Sequence, residues 1–206
     1  MIKENVITLK KDIGATTLLA ATKSQSVEKI KEAIDAGITI IGENYVQEAE
    51  TKHTRVKQHS PKTQIHLIGH LQSNKVRRAV KIFDMIQSVD SIKLAQKLNN
   101  ECQNQMKVLP ILIEVNIAKE ENKSGCSPEE LPLLAEMISQ LPNLKLEGLM
   151  TMAPVSHFKI MKQLFDIMKK RYHFSILSMG MSDSYKAAIQ QGSTMIRIGT
   201  KIFGPR

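Results

Sequence analysis

At 206 residues, 42% hydrophobic and 24% charged, the chain has the balance of a soluble protein with a core of its own, and its length excludes a full (β/α)₈ barrel plus a second domain. The 29 Lys and Arg against 20 Asp and Glu give a formal charge of +9, which favours anionic partners; with the basic residues scattered and only 3 Tyr, 5 Phe and no Trp, a stacking platform for nucleic acid is not expected. Two cysteines, Cys102 and Cys126, exclude a disulfide framework and a paired zinc or redox motif, and the opening MIKENVITLKKDIG lacks the apolar stretch of a signal peptide or membrane span, so the expected setting is the cytoplasm.

In chain order, Lys3 to Ile13 is polar enough to be a surface helix. After it come eight short apolar, β-branched runs: Thr17 to Thr22, Ile38 to Gly42, Gln64 to Ile68, Met85 to Val89, Val108 to Asn116, Leu146 to Met150, Ser175 to Met179 and Met195 to Ile198. Helical spacing fills the intervals. Val27, Ile30, Ala33 and Ile34 mark one helix, with Ser26 as its N-cap. Ser127-Pro128-Glu129-Glu130 places a cap, a first-turn proline and two carboxylates ahead of another. Eight strands alternating with helices predict a single α/β domain over residues 1–206, a minimal (β/α)₈ TIM-type barrel, with an open doubly wound sheet as the alternative. So little follows the eighth run that the usual last helix is expected to be missing, and the segment Lys3 to Ile13 is the candidate to cover the gap.

Barrel sites sit at the C-terminal ends of the strands, so the residues that end each run are the informative ones. In LLAATK the alternation puts Leu19, Ala21 and Lys23 on one strand face; if that face is the interior, Lys23 carries an amine into the mouth. From position alone a solvated strand-end lysine is the commoner outcome. The second and third runs lead into Gly42-Glu43-Asn44-Tyr45 and Gly69-His70-Leu71-Gln72. The seventh and eighth lead into Ser178-Met179-Gly180-Met181-Ser182 and Arg197-Ile198-Gly199-Thr200, with the small residues and hydroxyls that an ester phosphate needs. As plain turns, Ser182 and Thr200 would do no more than cap. No metal cluster is formed by His66 and His70, and GxGxxG, GxxxxGK[ST] and GxSxG are all absent.

These stretches resemble the pyridoxal phosphate homeostasis proteins, relatives of the N-terminal barrel domain of alanine racemase. AATK at Lys23, IGENYVQEAETK from Ile41, IHLIGHLQSNK from Ile65, SVDS from Ser88, EVNIAKEENKSG from Glu114, GLMTMAP from Gly148, LSMGMS from Leu177 and IRIGTKIFGPR carry the likeness across nearly the whole chain. Thr22 and Ile65 stand where the family usually has a serine and an aromatic residue.

The resemblance implies a fold-type-III barrel binding pyridoxal 5′-phosphate (PLP), with a Schiff base at Lys23 and Arg197 against the pyridine nitrogen. It places Ser182, Gly199 and Thr200 on the phosphate, Asn44 at the cofactor's rim and Met179 near the ring. It further implies a non-catalytic role in intracellular PLP homeostasis, with apo PLP-dependent enzymes as recipients and a monomer or weak homodimer as the assembly. Racemases of this fold take a second base from a C-terminal domain, and this chain ends at Arg206, so no robust racemase activity is expected. A racemase-like enzyme is the alternative; it needs a base opposite Lys23, for which Tyr45 and His70 are the candidates. A basic barrel that binds nucleic acid is the third reading.

Overall fold

In the computed structural model, which describes residues 1–205, the eight runs form one closed sheet of parallel strands in sequential order. Helix α1 (Ile2–Asp12) precedes β1 (Thr17–Ala21), and the alternation then runs through α2 (Val27–Asp35), β2 (Ile40–Glu43), α3 (Val46–His59), β3 (Gln64–Leu67), α4 (Val76–Ile82) and β4 (Met85–Val89). It continues through α5 (Ile92–Asn104), β5 (Leu109–Glu114), α6 (Leu131–Ser139), β6 (Leu144–Met150), α7 (Phe158–Tyr172), β7 (Ile176–Ser178), α8 (Tyr185–Gln190), β8 (Met195–Ile198) and α9 (Thr200–Phe203). Closure comes from β1 pairing with β8 in the register Leu19↔Arg197. The barrel is therefore the outcome, and the open sheet is excluded.

Local chemistry sets several boundaries. The Ser26 side chain accepts from the Lys29 amide at the start of α2. Before α6 the Ser127 hydroxyl accepts from the Glu130 amide while the Glu130 carboxylate accepts from the Ser127 amide, a reciprocal cap. After β8 the described residues hold the single turn of α9. Helix α1 packs between it and α2, with Asn5 Nδ2 donating to the Ile202 carbonyl at 3.0 Å. Gly148 in β6 allows β7 to approach, since a Cβ there would fall 1.9 Å from the Ile176 carbonyl oxygen.

Strand alternation divides the side chains into two sets. Outward residues such as Ala20, Ile41, Leu67, Ile111, Leu149 and Ile198 form one large core with the helices. Inward residues form two apolar clusters, Leu19, Ile68 and Met195 in one and Met85, Leu112 and Met150 in the other. Threaded between these is a chain of polar groups. Arg197 Nη1 donates to Ser178 Oγ (2.7 Å), Ser178 Oγ to Gln87 Oε1 (2.8 Å), Gln87 Nε2 to His66 Nδ1 (3.0 Å), and His66 Nε2 meets Gln64 Oε1 (3.0 Å). Each link runs donor to acceptor in one direction, which requires His66 to be neutral with its proton on Nε2. Burial agrees, holding His66 down at about 4.

A proton on Nδ1 would set two donors face to face at Gln87. The unfolded chain's imidazole takes up a proton from about pH 6.5, whereas the folded one resists until about 4, so this group's contribution to stability falls as pH drops through that window, by up to about 3 kcal/mol. We expect His66→Gln to be less stable than wild type at pH 7, with the difference shrinking steadily toward pH 4.5 in urea melts. A pH-independent difference would contradict the neutral-histidine chain.

Candidate site at the barrel mouth

Lys23 lies two residues beyond β1 and continues the inward alternation of Leu19 and Ala21, half-buried at the C-terminal end of the barrel. Its Nζ sits 5.2 Å from the centre of the exposed Tyr45 ring, within cation–π range. The turn that follows is held tightly. Ser24 adopts a left-handed backbone (φ 61°), and its amide donates to Glu48 Oε1 at 2.5 Å. Lys52 Nζ, buried beneath, donates to the Thr22 carbonyl (2.8 Å), Glu43 Oε1 (2.9 Å) and Glu48 Oε1 (2.7 Å), while Thr22 Oγ1 donates to Glu43 Oε1 at 2.6 Å.

Burial pushes the Glu43 carboxyl up despite these donors, and its Oε2 has no partner. Glu48 behaves in the opposite way. Burial pushes it up, but bonds from Lys52 and the Ser24 amide outweigh that and hold it below the usual carboxylate range. Part of the motif IGENYVQEAETK thus acts from the outer side of the sheet, clamping the turn that carries Lys23.

Around the mouth, Asn44 follows β2 half-buried, and Gly69 packs so close that a Cβ there would fall 2.4 Å from the Asn44 carbonyl oxygen. Asn44, Tyr45, Gly69, His70 and Gln72 line a cleft of about 370 Å³. On the other side the loops after β7 and β8 meet, with Ser182 Oγ accepting from the Gly199 amide at 3.4 Å. Thr200 follows, exposed. Arg197, 3% exposed, points inward from β8; besides Ser178 Oγ it donates to the Ser178 carbonyl, the Thr151 carbonyl and Met152 Sδ. All four are neutral acceptors. Burial lowers the guanidinium to about 10, so it is charged at neutral pH with no carboxylate bonded to it.

Lys23, Asn44, Ser182, Arg197, Gly199 and Thr200 therefore share one end of the barrel. Met179 differs. Its side chain is fully buried in the outer core with the helices, on the strand face opposite Ser178, and the expected contact with a ligand's ring is not available to that side chain. Among the described residues no group of three His, Cys, Asp or Glu could hold a metal, and no helix is long and apolar enough to cross a membrane. Gln87, which accepts from the Ser178 hydroxyl beneath Arg197, was not singled out from the sequence, and Ser178 was read there only as part of the hydroxyl-rich loop after β7. Glu114 was also missed, although it ends the β5 run LPILIE on the inward face by the same alternation that marks Lys23.

The family described as alanine racemase, N-terminal domain, matches residues 1–206. The chain is 43% identical to the pyridoxal phosphate homeostasis protein of Vibrio alginolyticus, over 92% of this chain and 86% of that one. It belongs to the pyridoxal phosphate homeostasis protein family. PipY of Synechococcus elongatus PCC7942 with PLP bound superposes with a TM-score of 0.91 at 32% identity, covering 99% of this chain and all of that one. Alanine racemase of Clostridium difficile 630 shares the fold, with a TM-score of 0.81 at 16% identity, but this chain spans only 56% of it.

In this family member the clamp under Lys23 carries a clear energetic expectation. Lys52→Met leaves Glu43 and Glu48 without their shared cation and should cost about 3–5 kcal/mol in urea denaturation at pH 7. Adding Glu43→Gln should recover part of it. A loss below about 1 kcal/mol would mean the cluster is not what orders the turn.

Proposed function

We propose that this chain binds pyridoxal 5′-phosphate at the barrel mouth through Lys23 and carries the cofactor for intracellular PLP homeostasis rather than turning over a substrate. The observation that carries the reading is the pairing of an inward, half-buried Lys23 with a buried Arg197 whose bonded partners are all neutral. An amine and an unneutralised cation in one small mouth suit an anionic aldehyde. The names of the relatives support the same ligand.

In this reading Lys23 supplies the amine that holds the cofactor's aldehyde. Ser182, the Gly199 amide and Thr200 hold its phosphate, where small residues and hydroxyls expose donors. Asn44 closes the rim, and the Tyr45 ring shields the lysine. Bound PLP would supply an electron-withdrawing ring to whatever amine it meets. Arg197 limits that chemistry: an arginine against the ring nitrogen donates but cannot give up its proton, and its charge disfavours protonation of the ring. A muted electron sink fits carriage better than turnover, and apo PLP-dependent enzymes are the recipients this reading implies.

Purified protein with added PLP should develop a visible absorbance band, and borohydride should fix the ligand to the peptide containing Lys23. Lys23→Ala should abolish both. Absence of the band at saturating PLP would refute the reading, and substantial racemisation of an amino acid by the wild-type protein would replace carriage with catalysis. Ser182→Ala, removing one hydrogen bond to a charged group, should weaken PLP affinity roughly ten- to hundredfold without moving the band.

A further inference from the structure

Across the barrel from β1, the inward face of β5 ends in Glu114, four strands away in either direction around the closed sheet. Its strand neighbour on that face, Leu112, belongs to the interior cluster. Glu114 is 7% exposed, and among the described residues its carboxyl has no ion-pair or hydrogen-bond partner. Glu43 Oε2 is the sole fully occluded side-chain oxygen without a partner among those residues, so the Glu114 oxygens keep an opening. Glu114 lines a small opening together with Thr151 and Met152, the residues whose carbonyl and sulfur accept from Arg197 Nη2. Glu114 thus lies beside the anchorage of the buried Arg197, with no hydrogen bond or ion pair between the two.

The charged groups facing Glu114 are few. Asp90, after β4, repels it; Arg197 on β8 attracts it; Glu120 and Lys123, on the segment after β5, line the same opening. Asp90 itself lies 3.6 Å from the exposed His70. Burial comes first, Asp90 adds to it, and the pull of Arg197 does not outweigh the two, so the carboxyl is pushed up to about 7.

We propose that Glu114 is a ligand-facing acid–base residue of this mouth, and that filling the mouth with a phosphate-bearing ligand is coupled to uptake of a proton by its carboxyl. The inference rests on the reading that PLP binds here. A dianionic ligand adds negative charge beside Glu114 and closes its opening to solvent, and both changes favour the neutral acid over the carboxylate. The proton comes from the solvent; no covalent bond to carbon is made or broken by Glu114 and nothing is oxidised. Affinity should therefore fall as pH rises above neutrality, where the carboxylate has to be reprotonated for the ligand to enter.

The test uses pyridoxine 5′-phosphate, the alcohol analogue that cannot react with Lys23, titrated calorimetrically at pH 8 in two buffers of different ionisation enthalpy. Wild type should take up about half a proton or more per site and Glu114→Gln less than about a tenth. Between pH 7 and 9 wild-type affinity should fall up to about tenfold per pH unit, with a near-flat profile in the variant. Independently of any variant, infrared difference spectra of the wild-type protein should gain the carbonyl stretch of a protonated carboxylic acid when the analogue binds. Equal proton uptake in wild type and variant, or no such stretch, overturns the proposal while leaving PLP binding intact. A wild-type protein that binds neither PLP nor its analogue overturns the binding reading itself, and this proposal with it.

Discussion

A guanidinium buried inside a barrel of about 200 residues is the constraint around which the interior is organised. Arg197 cannot shed its charge at neutral pH, so leaving it without acceptors in a low-dielectric interior would be prohibitive. The fold meets this with neutral acceptors from two strand ends and with Ser178, which passes the demand on to Gln87 and His66. At least one inward position in each of β3, β4, β7 and β8 is thereby committed to a polar residue, beside the apolar inward clusters built on Leu19, Met85, Leu112, Met150 and Met195. Such networks are cooperative when complete and expensive when one member is lost. Specifying the interior in this way leaves the cation's charge unmatched, and a ligand with negative charge is what the mouth can receive.

The site is also supported from outside the barrel. Lys52, Glu43 and Glu48 belong to the outer layer, yet they determine the path of the chain at Thr22 and Ser24, and hence where Lys23 points. A left-handed serine next to Lys23 is a local cost that these charge-assisted bonds offset. Barrel rigidity alone would fix the strand end; the clamp fixes the turn.

Much of this was legible beforehand because short apolar, β-branched runs between helical patterns are a strong signal. They identified the eight strands to within a residue or two at most ends, their order as a barrel puts the β7 and β8 loops at the same end as Lys23, and period-two alternation in the first run set Leu19, Ala21 and Lys23 on one face. The same rule also bears on Met179, since inward Ser178 implies outward Met179; the likeness to the family had instead set that residue near a ligand. The link that Gln87 and Ser178 form was illegible for a different reason. It exists only through partners 19, 21 and 91 residues away, and no local pattern distinguishes a polar link from an ordinary inward residue. Glu114 was within reach of the alternation argument, but its significance depends on the lack of a partner, which only three dimensions reveal.

The packing of α1 between α9 and α2 also has a consequence for how the chain matures. Asn5 and Ile202 are joined by a hydrogen bond, and β1 finds its second neighbour only in β8, so α1 and β1 wait for β8 and α9. During synthesis the nascent chain presents β1 as an open edge and α1 as a helix with half its binding groove absent. Seam contacts of this sequence separation slow the final step of folding, and it is in that interval, before the ring closes, that the polypeptide is most exposed to aggregation and proteolysis.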